Sequence, residues 1–226
     1  DGTIFADEVD FDRDWLDDAR RYYTNIVGKY GAQVQAVLKK AANLDIKMIC
    51  PLHGPIWREN LGYIIEKYDK WSKYEPEEKG VVIAYASMYG NTENMANVLA
   101  NILAEKGVKN IRVYDVSNTH VSQLVSESFK YSNIVLASPT YNGGVYPIME
   151  NFIADIKALN LQNRDIAVMD NGTWAVTAGK FIVNKINEMK NMRVIEKIFS
   201  VKSAMDESQY EEINEFAEMI ISSLNN

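Results

Sequence analysis

One cysteine in 226 residues, Cys50, leaves no partner for an intramolecular disulfide, and the expectation is a reducing, cytoplasmic compartment. Histidine is nearly as scarce, with His53 and His120 alone. No apolar run approaches the roughly 18 residues of a membrane-spanning helix. Basic residues form no cluster beyond adjacent pairs, and the net charge is −7. Nucleic acid and anionic membrane are therefore not expected as main partners. The stretch "DGTIFADEVDFDRDW" is too acidic for a signal or transit peptide. It carries no initiator Met, so a processed, excised or truncated chain is expected. Neither a G-x-x-x-x-G-K-[ST] loop nor a G-x-G-x-x-G fingerprint occurs, which argues against a Walker-type or dinucleotide site.

What is present is enough for a core: 47% of residues are apolar. The charged segment "YEPEEKG", Tyr74 to Gly80, reads as a linker, dividing residues 1–79 from 80–226. Ahead of it, Asp12 to Leu44 has mainly helical spacing, interrupted near Gly28 and Gly31. "IKMIC" suggests a short strand, "PLHGP" a turn, and Arg58 to Trp71 a further helix. Behind it the pattern becomes regular. Strands are expected at 81–86, 111–116, 133–138, 165–170 and 193–201, with helices at 92–106, 119–128, 146–158, 177–190 and 208–224. Strict alternation argues for an α/β domain with a parallel sheet covered on both faces.

In such a sheet, ligands sit at the carboxyl ends of the strands. The first loop there holds Ser87, Met88, Tyr89, Gly90, Asn91 and Thr92, and it runs straight into a helix. A helix N-terminus favours an anion, hydroxyls add donors, and glycine lets the backbone approach. A lysine-free cup of this kind suits a phosphate monoester. The same residues also suit a tight turn with an N-cap. The second loop holds Pro139, Thr140, Tyr141, Asn142, Gly143 and Gly144, and the third Asn171, Gly172, Thr173 and Trp174. Tyr141 and Trp174 are expected to wall a flat ring between them.

The three loops resemble those of the flavodoxin-like family, whose phosphate loop reads [ST]-x-[ST/Y]-G-[NT]-T. The resemblance implies a five-stranded doubly wound sheet in the order 2-1-3-4-5 and FMN as cofactor. It places the phosphate on residues 87–92 and the isoalloxazine between 139–144 and 171–174. The first third adds two features. Asp10, Asp12 and Asp14 alternate like a calcium loop, but Trp15 and Arg21 stand where glycine and glutamate are needed. A helix start with acids at its positive end is the better reading. Cys50 and His53 form C-x-x-H, too few ligands for zinc.

"CPLHGPIWREN" and "DEVDFDRDWLDDARRYY", with a flavodoxin pattern behind them, are similar to the flavodiiron proteins. That resemblance extends over the whole chain. It makes residues 1–79 the end of a metallo-β-lactamase-like diiron domain, with His53 as its one remaining iron ligand. The family's H-x-E-x-D-H motif does not occur. The resemblance further implies an oxidoreductase that takes electrons from a rubredoxin-like or flavin donor. It would pass them through FMN to a diiron centre reducing oxygen or nitric oxide, in a head-to-tail homodimer. Two other readings stay open: an FMN electron carrier with a docking appendage, and an FMN-dependent quinone reductase.

Overall fold

A computed structural model describes residues 2–225. Two compact units divide at Glu75 and Pro76, inside the charged segment. Pro76 to Lys79 therefore travel with the second unit: the Glu77 N–H donates to the Lys130 carbonyl, and β1 begins at Glu78.

The second unit is built on β1 (Glu78–Tyr85), β2 (Ile111–Asp115), β3 (Tyr131–Tyr141), β5 (Asp165–Gly172) and β6 (Arg193–Lys202), all paired in parallel. Their spatial order is β2-β1-β3-β5-β6. A two-residue strand, β4 (Gly144–Val145), turns back antiparallel on the end of β3. With that short strand set aside, the order is the expected 2-1-3-4-5. The sequence pattern reports position in the sheet. Gly80 to Tyr85 of β1 and all of β5 are buried, since helices cover both faces of a central strand. The edge strand β6 mixes exposed and half-buried residues instead and buries only Phe199 and Val201.

One face is packed by α5 (Asn91–Glu105) and α9 (Tyr210–Asn225). Met95, Leu99, Leu103, Phe216 and Ile220 meet Val81, Ile83, Val135, Met169 and Phe199 there. Each fully buried apolar side chain of this kind stabilises the fold by roughly 1.5–3 kcal/mol. On the other face lie α6 (Val121–Lys130), α7 (Pro147–Ala158) and α8 (Ala178–Asn187), burying Leu124, Phe129, Phe152, Ile156 and Ile182. Arg164, 1% exposed, donates to the carbonyls of Ser128, Phe129, Gln162 and Asn163. It thereby fastens the end of α6 to the start of β5, and burial pulls its pKa down to about 9.

The first unit contains α1 (Phe11–Asp14), α2 (Leu16–Ile26), α3 (Gly31–Ala41) and α4 (Leu61–Ser72). The expected helix over 12–44 is broken by a 3-10 turn at Gly28–Tyr30. Gly31 cannot be larger, because a Cβ there would lie 2.3 Å from the Ser72 carbonyl oxygen. Tyr74 donates its hydroxyl to the Gly28 carbonyl at 2.9 Å and accepts from the Gly31 N–H. The Asp10 carboxylate caps α1 by accepting from the Arg13 N–H, as the acidic start suggested. Two expectations are corrected. "IKMIC" contributes only a bridge between Ile49 and Trp57 rather than a strand. The following helix begins at Leu61, not Arg58, because Asn60 adopts a left-handed conformation ahead of it.

Candidate functional site

Helix α5 leaves β1 through Ser87 to Gly90, and Gly90 takes φ +86, a left-handed value that favours glycine. The Ser87 hydroxyl accepts from the Gly90 N–H at 3.1 Å and holds the turn closed. No side chain caps α5, so the N–H groups of its first turn keep their free ends. Thr92 is 1% exposed, and among the described residues its hydroxyl has no hydrogen-bond partner. A free hydroxyl on an otherwise buried threonine, beside open helix N–H groups, is what an anion would use.

Three of the other helix starts at this edge of the sheet are capped by side chains. His120 Nδ1 accepts from the Ser122 N–H at α6. The exception besides α5 is α7, where Pro147 removes one N–H and no side chain caps those behind it. At α8 the Thr140 hydroxyl accepts from the N–H groups of Thr177 and Ala178, at 2.9 and 3.2 Å. The Asp170 carboxylate accepts from the Gly179 N–H at 2.7 Å. Asp206 closes a capping box before α9. Of the two uncapped starts, α5 keeps all its first-turn N–H groups and lies at the strand end where the phosphate cup was expected.

The second loop is a tight hairpin. Asn142 and Gly143 have φ of +49 and +76, and Tyr141 pairs with Gly144 across them. Positive φ at both central positions makes a primed turn, for which Asn-Gly is the strongest short signal. Tyr141 is 42% exposed and meets Tyr146 edge-on. In the third loop Gly172 is enforced by crowding: a Cβ would lie 2.1 Å from the Ala175 carbonyl oxygen. Trp174 then stands almost wholly free, 97% exposed.

The predicted residues divide by what their side chains already do. Thr92, Tyr141 and Trp174 are available to a ligand, Ser87 keeps its O–H donor while its oxygen accepts from Gly90, and Gly90, Gly143 and Gly144 offer backbone. Tyr89 is almost wholly exposed, and Met88 is partly so. Asn91 lies at the start of α5 and Thr173 beside Trp174. Pro139 is buried within β3. Thr140 and Asn171 are committed to the fold. The Asn171 amide donates to the carbonyls of Val201 and Ser203, at 3.0 and 2.7 Å. Sequence reasoning did not mark Asp170 or Thr177, whose partners lie far along the chain. A cavity of about 600 Å³ opens against α5, lined by Asn94, Val98, Met205, Asp206, Glu207 and Tyr210. It contains none of the predicted residues, and the ring site is an open surface instead. Near the cup, burial and the carboxylates of Glu93 and Asp115 raise the pKa of Tyr85.

In the first unit, His53 is exposed and lies 5.0 Å from the Tyr22 ring, centroid to centroid. Among the described residues, no group of three or more His, Cys, Asp or Glu side chains could hold a metal ion. No described helix is long and apolar enough to cross a membrane.

The family model described as flavodoxin matches residues 83–216. The chain belongs to the flavodoxin family. That match runs from the end of β1 into the first half of α9 and includes all three loops. The flavodoxin family member also has relatives along its full length. The structure of rubredoxin oxygen:oxidoreductase from the anaerobe Desulfovibrio gigas is 27% identical, with a TM-score of 0.90. It covers all of this chain and 56% of its own. The flavodiiron protein of Giardia intestinalis, 23% identical with a TM-score of 0.87, shares the fold over 100% of this chain and 56% of its own. A nitric oxide reductase of Moorella thermoacetica is 29% identical over 82% of this chain and 46% of its own. The resemblance of the whole chain to flavodiiron proteins is thus borne out. The chain spans about half the length of the curated relatives it matches.

Proposed function

We propose that this flavodoxin-family chain carries the FMN half of a flavodiiron oxidoreductase. The observation that carries the reading is the uncapped start of α5 with the free Thr92 hydroxyl, inside a flavodoxin fold. The first-turn N–H groups, Ser87 and Thr92 would hold the phosphate, as neutral donors matched to a dianion. Tyr141 and Trp174 would stack on the ring and exclude water from its faces. The hairpin at Asn142 and Gly143 would bring peptide groups to its edge. FMN, when bound, supplies transfer of electrons singly or in pairs. The chain's acidic balance of −7 would disfavour an anionic reduced flavin and lower its potential.

The donor in this reading is a rubredoxin-like protein or a reduced flavin. The whole protein would reduce oxygen to water or nitric oxide to nitrous oxide, as a head-to-tail dimer in the cytoplasm. His53 would be an iron ligand at the end of a metallo-β-lactamase-like domain. One imidazole does not hold two irons, so the residues of this chain do not make that centre themselves. A second reading, an FMN electron carrier, is favoured by one specific observation: His53 is exposed and belongs to no metal-holding group among the described residues. Denaturing the purified chain and weighing the released cofactor tests the first step. FMN is expected; FAD, or no flavin, overturns the proposal.

A further inference from the structure

The second and third loops are joined by one side chain that the phosphate-and-ring reading does not use. The Thr177 hydroxyl donates to the Gly143 carbonyl oxygen at 3.0 Å. Thr177 is itself fixed, because its N–H donates to the Thr140 hydroxyl at 2.9 Å. Thr140 belongs to β3, and beside it the Ala178 N–H makes a second bond to the same oxygen. At the other end of the third loop, Gly172 is pressed against Ala175, and the Gly172 carbonyl accepts from the Ser203 N–H. Residues 173–176 are therefore held at both ends while Trp174 projects free.

From this geometry we infer that Thr177 is the positioning residue of the ring site. Its hydroxyl fixes which way the Gly143–Gly144 peptide faces, and it sets the hairpin bearing Tyr141 against the loop bearing Trp174. The inference rests on the FMN reading and deepens it. Thr177 touches the two loops rather than the ring, so it acts through them. A hairpin carbonyl on the surface finds water readily when Thr177 is changed, so the fold tolerates the loss. What is lost is the single orientation of a peptide that a flat ligand must match. Preorganised donors and acceptors bind more tightly than mobile ones because no ordering is left to pay at the moment of binding.

The test compares the full chain with Thr177→Val, which keeps the shape and removes the donor, and Thr177→Ser, which restores it. Two properties are read. In the chain stripped of flavin, amide hydrogen exchange over 141–145 should quicken about fivefold in the Val variant, the worth of one neutral hydrogen bond. With FMN added, the Val variant should bind about fivefold more weakly and quench the flavin less. Thr177→Ser should return both properties to within about twofold of the parent. Should the Val variant not fold, Thr177→Ala is read in its place. If the parent takes up FMN and the Val variant matches it in exchange and affinity, the positioning role is wrong. The same holds if the Ser variant behaves like Val. A parent chain that takes up no FMN overturns the flavin reading and this inference together, so the two failures are distinguishable.

Discussion

At the scale of single residues, Thr92 and Asn171 show how burial and hydrogen bonding separate a ligand from a brace. Thr92 lies in the first turn of α5 and Asn171 near the end of β5, and both residues are buried. Asn171 spends its amide on two carbonyls of the chain, whereas the Thr92 hydroxyl has no partner among the described residues. That hydroxyl is open to a ligand, while the Asn171 amide is already used by the fold. We therefore expect Thr92→Val to weaken FMN binding by roughly 1.5–3 kcal/mol, one to two orders of magnitude in Kd, the worth of a hydrogen bond to a charged group. Titration of the flavin-free chain with FMN measures this directly, and unchanged affinity would remove Thr92 from the cup. Trp174 is tested by light rather than affinity. Stacking on the ring quenches flavin emission, so Trp174→Ala should raise the fluorescence of bound FMN. Trp71 is a poor control, being fully buried between Tyr23 and Tyr68. Tyr30, half exposed in the first unit, can be removed without that damage, and Tyr30→Ala should leave the emission as it was. Equal brightening in both variants would displace Trp174 from the ring.

At the scale of elements, two glycines of the site are required for different reasons, and substitution separates them. Gly90 has open space around its Cβ position but a φ of +86, so Gly90→Ala pays only backbone strain, about 1–2 kcal/mol. Gly172 would drive a Cβ into the Ala175 carbonyl, so Gly172→Ala must shift the third loop, costing roughly 1–3 kcal/mol. Denaturant midpoints should fall for both. Only Gly172→Ala should also change flavin fluorescence, because only that loop carries Trp174; identical spectra would mean the loop does not face the ring. The same contrast explains what could be read from the sequence. Strands buried on both faces announce themselves as apolar runs, and α5 shows its face in Met95, Leu99 and Leu103. The turn at Gly90 was legible too, because the loop and the helix start are contiguous. The hairpin of Asn142 and Gly143 carried its own turn signal but reads at first as part of a ring-edge loop. Asp170 and Thr177 carry no local signal. Their meaning comes from Gly179, Ser200, Thr140 and Gly143, and for most of these only the folded sheet brings them near.

At the scale of the whole chain, the question is whether flavin chemistry and gas reduction can be separated. A diiron centre needs several carboxylate and imidazole ligands in fixed positions, with partners that orient them. His53 meets Tyr22 rather than another ligand, and no metal-binding group occurs among the described residues. The chain purified alone should therefore contain FMN in proportion to protein and little iron. Reduced chemically and exposed to air, it should yield hydrogen peroxide, since a flavin delivers two electrons to oxygen and no iron is present to continue to water. His53→Ala should leave FMN content and peroxide yield unchanged. When the remaining half of a full-length relative is supplied, iron should be taken up and peroxide should give way to water. His53→Ala should abolish that gain. Two irons per flavin in the chain alone, or full restored activity in His53→Ala, would overturn the diiron reading of the first unit while leaving the flavin reading of the second intact.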